Sequence, residues 1–500
     1  MAEAVWTNRE RAELSRLRQM RQLFRGDHEV YFVLPNGQQR RYEYVTTNWL
    51  GDTLSQTWKR LLFRKFPLLA TGNAQADKAV ADLVGTLRLP VVCQPAALMV
   101  SWAGRATFKL YWSRLRRQPA LRLWGANETE FATWDYLASD HSQPIAVNCW
   151  YLMAIPGDRD KRQAYVRERH ELLYKLGRDG EVKITTLRVT NVAYRVEGGQ
   201  PVDEIIAWER MYPDEATRPA ETEDLTGMTM LPVIAINNVD SDGDEVGESD
   251  YTKSLINLQK NVNKVVASRQ FVIDVSERPM IEVPPEYLDD AGQIDWEKVA
   301  LRVKYDGEEG AGAEIKVTNW AGHLANSAEQ YEIYRREFGS QTGIAAPLRG
   351  DVAKEGGGGE SGYARRLGMV ATEAEVTFRR AAWERGFQDI IAVAQRLQAV
   401  FLGGKAVKPV EQLTVGWQPA IPEDSTEVSN AVVAEAAGGV RSLESAIERL
   451  NPDATEEWRA QELGRIQERE ATAMARNPFR PEEQGSEEEE QGAGDDAGAA

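Results

Sequence analysis

Apolar residues recur at three- and four-residue steps in several stretches of the chain, which is the spacing of one face of an α-helix. This pattern predicts helices over Arg9–Arg25, Trp49–Phe66, Ala74–Leu87, Asp250–Ile273, His323–Phe338 and Ser361–Leu402. Ser249 or Asp250 is the predicted N-cap of the fourth. The last helix has about forty residues and would span about 60 Å at ~1.5 Å per residue. That length predicts an elongated subunit or an assembly.

Alternating apolar and polar positions dominate instead between Leu98 and Trp208. They predict half-buried antiparallel strands over Ala106–Trp112, Ile145–Met153, Lys183–Val189 and Asn191–Val196. The highly charged stretch Arg159–Leu176 is predicted to be a surface helix that interrupts them. An apolar strand over Leu231–Asn238 and a hairpin turn at Pro35–Gly37 complete this half, so the predicted fold class is α+β.

The C-terminal part predicts a short strand and three short helices, at Leu413–Gln418, Ser425–Ala437, Ser442–Leu450 and Pro452–Ala471. Beyond Pro478 the chain is rich in Glu, Gly and Ala. Such a tail has too little apolar surface to offset the entropy of ordering, so we expect it to be disordered.

Charge is unevenly distributed along the 500 residues, whose net charge is −17. Glu482–Ala500 carries eight acids and no bases, whereas residues 1–70 carry twelve Lys and Arg against seven Asp and Glu. An acidic body disfavours tight wrapping of nucleic acid, which requires neutralised phosphates, but it allows a surface past which DNA slides. Only two cysteines and four scattered histidines are present, so a disulfide scaffold and a Cys-based zinc site are excluded. No apolar run reaches the ~20 residues of a membrane span, and no secretory signal is visible, so we expect a soluble, intracellular-type protein.

Motifs for nucleotide or metal chemistry are weak. The run Gly356–Gly359 lacks the Lys-Ser/Thr of a phosphate-binding loop and fits a loop between helices better. Asn238–Asp244 resembles the start of a calcium loop, but its twelfth position is Ser249 rather than Glu, which favours a solvated turn. We predict no cofactor, no metal site and no catalytic residue.

Acid-x-Lys spacing, which can hold a metal beside a phosphodiester, occurs at Glu181–Lys183 and at Glu314–Lys316. Neither pair has a convincing upstream acid, and the spacing is common on the wet face of a strand.

Two basic helical faces each allow two interpretations, as a solvated face or as a binding surface. Arg16, Arg18, Arg21 and Arg25 lie on the first predicted helix, as either a solvated face or a partner surface. Lys253, Lys260 and Lys264 share one face of the helix that begins near Asp250. These lysines form either a solvated stripe or a ring that faces a polyanion in an oligomer.

The order of elements in the second half resembles a portal protein of a tailed, siphovirus-like double-stranded DNA bacteriophage. The residues that carry the resemblance are Leu231–Asn238, Ser249–Ser268, Phe338–Leu348, Ser361–Ala364 and Gly438–Ile447. Each motif is degenerate, and the resemblance depends on their order over nearly the whole chain.

The resemblance implies an elongated α+β subunit with an α/β wing, a two-helix stem, a small α/β clip, a long kinked helix and a helical crown. The corresponding segments are a wing (1–247), first stem helix (248–273), clip (274–322), second stem helix (323–342), tunnel loop (343–360), long wing helix (361–404), crown (405–472) and acidic tail (473–500). Leu258, Val262, Tyr331 and Tyr334 are then expected to be buried between subunits. The acidic tail has no definite place in the family pattern, and the Gly-rich segment is more flexible than a rigid valve would require.

The implied function is a ring, usually of twelve subunits, at one capsid vertex of the virion, assembled in the host cytoplasm. Duplex DNA would pass through its channel during packaging and ejection. The implied partners are the terminase large subunit, the major capsid and scaffold proteins and the head-completion or tail adaptor proteins, with no membrane. The tunnel-loop residues that would meet DNA are Arg349, Lys354, Gly356, Gly357, Gly358 and Gly359, together with the lysine stripe of the first stem helix. The alternatives are a metal-dependent nuclease or other packaging enzyme, and a monomeric capsid-associated scaffold.

Overall fold

The computed structural model forms two compact units, Met1–Ile421 and Pro422–Ala500. The structure describes residues 5–28, 30–33, 39–42, 47–125, 127–137, 140–176, 182–216, 218–238, 247–276, 281–282, 293, 316–317, 321–349, 362–403, 410, 412–420, 425–451 and 454–476.

The helices and strands alternate through the first unit, and the second is helical. The helices are α1 (Asn8–Arg25), α2 (Gln56–Phe63), α3 (Ala74–Leu87), α4 (Leu89–Ala103), α5 (Trp208–Met211), α6 (Lys253–Ser276), α7 (Ala321–Thr342), α8 (Gly362–Leu402), α9 (Ser425–Ala437), α10 (Leu443–Leu450) and α11 (Glu456–Arg476). The strands are β1 (Val30–Val33), β2 (Gln39–Tyr42), β3 (Leu68–Ala70), β4 (Arg105–Ser113), β5 (Gln118–Trp124), β6 (Phe131–Leu137), β7 (Asp140–Ala154), β8 (Gln163–Leu176), β9 (Val182–Glu197), β10 (Gln200–Ile206), β11 (Thr222–Thr226), β12 (Val233–Asn237), β13 (Ile281–Glu282), β14 (Lys316–Val317) and β15 (Thr414–Gly416). A π-helical turn, Trp49–Ser55, runs directly into α2.

Two antiparallel sheets form the β part of the first unit. The larger has the order β10-β9-β8-β7-β6, with β11 also paired to β9, and the smaller has the order β12-β4-β5. In the smaller sheet, Ile234 lies opposite Phe108. One continuous core joins these sheets to α1–α4, α6 and the C-terminal half of α8, with Trp58, Phe108, Trp150 and Phe387 among its fully buried side chains.

The prediction of a surface helix over Arg159–Leu176 is wrong, because Gln163–Leu176 forms the strand β8 at the centre of the larger sheet. Its charges are paired and partly buried rather than solvated. Glu168 accepts a hydrogen bond from Lys109 Nζ at 2.5 Å, and its other oxygen lies 2.7 Å from His170 Nε2. Burial by itself raises the pKa of Glu168, but Lys109 and His170 outweigh it, so the pKa lies well below its usual range.

The helix predicted over Arg9–Arg25 is confirmed, and its basic residues contact the body of the same unit. Arg16 donates to the Ala103 carbonyl at 2.7 Å, and Arg21 donates to the Gly125 carbonyl at 3.1 Å. Thr7 and Glu10 form a capping box at the N-terminus of the helix, and the Trp150 indole donates to Glu10 at 2.6 Å. These contacts favour a docking role within the chain over a simple solvated face.

Most other predicted helices are present with small shifts at their ends. Ala74–Leu87 and Ser425–Ala437 are confirmed residue for residue, and Gly362–Leu402 corresponds to the predicted forty-residue helix. The predicted N-cap of α6 is wrong. The backbone N–H of Leu255 donates to the hydroxyl of Thr252, while the Ser249 hydroxyl accepts from the Tyr251 N–H in the preceding turn.

Several predictions lie outside the described residues. They are the Pro35–Gly37 turn, the strand candidate Val299–Lys304, most of the clip, residues 239–246, Lys354, Gly356–Gly359, Pro452 and residues 477–500 of the acidic tail. The predicted start of the disordered tail at residue 473 is wrong, because α11 continues to Arg476. Among the described helices, no single one is long and apolar enough to cross a membrane. By length and composition alone, the bent pair Ala74–Leu87 and Leu89–Ala103 passes the same test.

Candidate nucleic-acid interface

Helix α6 has one lysine face and one buried face. Lys253, Lys260 and Lys264 are all exposed, and the structure records no ion pair for them among the residues that it describes. Their positions follow one line along the helix, and from the first to the last the axial rise is about 16 Å. The candidate interface, defined as these three lysines, is therefore a row of three uncompensated positive charges.

The opposite face of α6 is buried within the same unit. Leu255, Leu258 and Val262 are buried, with exposed fractions from 0 to 7%. The expectation that Leu258 and Val262 pack between subunits is therefore wrong, because both side chains are already buried within a single chain. This packing fixes the rotation of the helix and turns the lysines away from the core.

A pair of buried amides, Gln259 and Asn263, holds this face of α6 in place. Gln259 Oε1 accepts the backbone N–H of Trp49 at 2.8 Å and that of Leu50 at 3.3 Å, while its Nε2 donates to the Thr47 carbonyl at 2.7 Å. Asn263 Oδ1 accepts from the backbone N–H and the hydroxyl of Thr47, at 3.0 and 3.1 Å. The two amides thus pair backbone groups at the start of the π-helical turn. The sequence signal was a polar i, i+4 pair next to the apolar positions 258 and 262.

Helix α7 contacts α6 and packs against the π-helical turn through aromatic rings. Trp49 meets the rings of Tyr331 and Phe338, with centroids 5.4 and 5.3 Å apart, and Phe338 is buried. Tyr331 and Tyr334 are half-buried within the chain, so their burial between subunits stays a prediction. Ser254 Oγ donates to Gln341 Oε1 at 2.9 Å, which joins the start of α6 to the end of α7.

A buried ionic cluster precedes α6 and connects it to the long helix α8. The guanidinium of Arg379 makes a two-pronged contact with Asp250, at 2.9 and 3.2 Å, and donates to Asn238 Oδ1 at 2.6 Å. It also lies over the ring of Trp58, 4.1 Å from the centroid. Burial alone would lower the pKa of Arg379, but Asp250 and Glu375 outweigh it and raise that pKa above its usual range.

The same cluster bears on the calcium-like motif. Asn238, its first position, is 4% exposed, and its side-chain oxygen is bonded to Arg379 instead of pointing into a loop. Its amide nitrogen donates to the Glu248 carbonyl at 3.0 Å and to Asp250 at 2.7 Å. The Asn-Asn end of the apolar strand is thus a structural junction, a role that the sequence pattern did not predict.

Arg349, the one tunnel-loop cation that the structure describes, folds back onto the end of α7. Its Nε donates to the Ile344 carbonyl at 3.0 Å and its Nη1 to the Arg335 carbonyl at 3.2 Å. Thr372 of α8 fixes the same turn, because its hydroxyl donates to the Gly343 carbonyl and accepts the Ala345 N–H, both at 3.0 Å. The structure therefore gives Arg349 a helix-capping position at the end of α7.

The nuclease candidates are only partly described. Lys183 lies exposed on β9, and Lys316 is in the short strand β14, while their acidic partners Glu181 and Glu314 lie outside the described residues. Within the described part of the chain, no group of three or more His, Cys, Asp or Glu residues is placed to hold a metal ion.

No protein-family model matches the sequence, and no curated protein matches it. The solved structures to which the chain is similar include two from gene transfer agent particles. A chain from the virion of a native gene transfer agent (GTA) particle is 14% identical with a TM-score of 0.39, and the match covers 90% of this chain and 95% of that one. A chain from the neck of an empty GTA particle, computed with C6 symmetry, is 12% identical with a TM-score of 0.37, covering 80% and 90%. Because both TM-scores are below 0.5, no functional step rests on this likeness.

Proposed function

We propose that this chain is the subunit of a portal-type head–tail connector, a ring around a channel for duplex DNA at one capsid vertex. The observation that carries the proposal is the division of α6 into a buried face and an exposed, unpaired lysine face. In a ring, copies of this face would line a passage with regularly spaced positive charge. The sequence resemblance to portal proteins, set out above, supplies the context in which that row has a use.

The attraction of the lysine row for phosphate is weak, which suits a channel through which DNA moves better than a site that holds DNA tightly. Each neutralised phosphate adds about 0.9 to the slope of log affinity against log salt. One subunit offers three lysines on a chain whose net charge is −17, so the contacts with phosphate are few and surrounded by repulsion. Long lysine side chains carry point charges without the two-pronged geometry of arginine. Such contacts form and break easily, as a moving duplex requires.

The contacts between copies would come from surfaces that the chain leaves uncovered. Val370 and Phe378 of α8 are 54 and 59% exposed, and with Ala374 they make one i, i+4, i+8 row. Ile333 of α7 is 41% exposed on a different element. A closed ring needs two different surfaces on each subunit, because head-to-tail contacts are heterologous. We assign the α8 row and the outer face of α7 to that pair.

The proposed ring does no chemistry of its own, and a separate terminase motor would supply the energy. Packaging partners would be the terminase large subunit, capsid and scaffold proteins and head-completion or tail adaptor proteins. Deleting Gly356–Gly359 is expected to leave assembly intact and to impair DNA packaging or retention, which can be measured as packaged DNA per particle.

Electron microscopy and mass photometry of the purified full chain test the proposal. We expect rings with a central hole about as wide as a B-form duplex. The variant K253Q/K260Q/K264Q should form the same rings and lose DNA retention, while R60Q/R64Q, which removes one exposed charge on α2 and one directly after it, should retain DNA normally. A protein that stays monomeric across salt and concentration would refute the proposal. Divalent-metal-dependent DNA cleavage that is lost in Glu314→Gln would favour a nuclease instead.

A further inference from the structure

The hairpin between β4 and β5 ends in a basic tip with an exposed leucine. Ser113 pairs with Gln118, so the tip consists of the four residues 114–117. Leu115 is 93% exposed, the most exposed large apolar side chain given for the described residues. At the base, Trp112 stacks on Phe401 of α8 with centroids 5.0 Å apart and planes 4° apart. The tip is therefore held out on a firmly packed base.

The backbone of the tip departs from the usual residue choice. Arg117 has a φ of 52°, in the left-handed region where glycine or asparagine sits at less cost. The backbone N–H of Arg116 donates to the Ser113 hydroxyl at 3.3 Å, which closes the turn. An arginine in this conformation, beside a leucine turned to solvent, makes the tip a candidate for contact with a partner.

The charge of the tip points to an anionic partner. Arg114 pairs with Glu223 at 3.0 Å, whereas the structure records no ion pair for Arg116 or Arg117 among the residues that it describes. Two guanidinium groups next to each other are thus available on a protein of strongly negative net charge. Guanidinium groups bind phosphate oxygens in a two-pronged geometry.

We infer that this tip binds duplex DNA from outside any channel, with Arg116 and Arg117 on the phosphates and Leu115 against the minor groove. The small number of residues in the tip favours DNA over an acidic protein as its ligand. Four residues are far fewer than the roughly twenty on each side of a stable protein–protein interface, whereas proteins often insert a single apolar wedge flanked by basic residues into the minor groove. The inference goes beyond the proposed ring and does not require it.

The test uses the full-length protein and a covalently closed circular duplex as the probe. A closed circle cannot thread a channel, so its binding reports the outer surface whether or not rings form. Filter binding across a salt series compares the wild type with R116A/R117A. R60A/R64A is the matched control, since it removes one exposed arginine on α2 and one directly after it.

We expect the tip variant to lower the salt slope by about 1.8, so that between about 50 and 200 mM salt the wild type loses about 12-fold more affinity than the variant. R116K/R117K should keep most of the wild-type salt slope. Leu115→Ser should weaken binding several-fold and leave the salt slope unchanged. Unchanged thermal melting of the variants establishes that they fold.

Two results would overturn the inference. One is a tip variant that matches R60A/R64A in both affinity and slope. The other is binding to polyglutamate that depends on Arg116 and Arg117 while binding to the circular duplex does not, since this would assign the tip to an acidic protein.

Discussion

Replacing Gln259 with leucine tests whether the buried amide pair sets the rotation of α6. Leucine has a similar size, so the change removes polar groups without opening a large cavity. In the wild type, Gln259 pairs the Trp49 and Leu50 N–H groups and the Thr47 carbonyl. All three backbone groups lose this partner in the variant, deep in a face where Gln259 itself is 0% exposed.

The expected cost follows from these three groups. A buried donor or acceptor left without a partner costs about 1–3 kcal/mol. The Leu50 contact is long, at 3.3 Å, and contributes least. We therefore expect Gln259→Leu to lower the free energy of unfolding by about 3–5 kcal/mol. Asn257→Leu, on the exposed lysine side of the same helix, should change it by less than about 0.5 kcal/mol.

Urea titration followed by tryptophan fluorescence gives the free-energy difference at fixed protein concentration. Hydrogen exchange of the segment 47–55 adds a local measurement, since the π-helical turn should exchange faster in Gln259→Leu than in Asn257→Leu. Equal unfolding midpoints and equal exchange in the two variants would refute the reasoning. The buried apolar residues of α6 would then set its rotation without the amide pair.

Three further changes have expected outcomes. Glu168→Gln should lower the free energy of unfolding by about 3–5 kcal/mol at pH 7, because it leaves Lys109 unpaired in the core. Folding lowers the pKa of Glu168, so the stability due to its carboxylate is present above the unfolded pKa of 4.5 and is lost as the pH falls from there through the folded pKa. Urea titrations of the wild type and the variant should therefore converge in acid. Phe378→Ser should reduce ring formation in mass photometry without lowering the melting temperature, and Ile205→Ser, which changes an equally exposed side chain on β10, should not reduce it. Gly386→Ala should destabilise the first unit by about 1–3 kcal/mol in urea, because its Cβ would clash with the buried side chain of Ile236, whereas Gly464→Ala has open space and should raise helix stability slightly.

Local periodicity predicted the helices well, for a physical reason. The buried positions of the long helix α8, such as Val376, Trp383 and Phe387, repeat along one face that contacts a single core. A pattern set by one neighbouring surface is visible in one stretch of sequence. The bounds of α3 and α9 could therefore be predicted directly from the chain.

Periodicity failed to predict the burial of charged and polar residues whose partners are distant in the sequence. Glu168 and His170 are typical of a solvated surface until Lys109 is brought opposite them by a sheet contact across 59 residues. The junction of Asn238 with Arg379 spans 141 residues, and the contact of Thr47 with Asn263 spans 216. No local pattern encodes such pairings. The position of Asn263 beside the apolar residues of α6 indicated that it is buried, but not that its partner is Thr47.

Because the apolar face of α6 is buried within its own chain, another helix must supply the contacts between subunits in a ring. An amphipathic helix argues for a ring only where its apolar face is left exposed by its own chain. Leu258 and Val262 are buried within the chain, so α6 gives no such argument. The unmatched stripe lies instead on the N-terminal part of α8, where Val370 and Phe378 are exposed ahead of the fully buried Trp383. Copies would then meet along the long helix, leaving the lysine side of α6 open to the passage. This arrangement places attraction between subunits and contact with DNA on different helices, so that Phe378→Ser and the triple lysine variant should affect assembly and DNA retention separately.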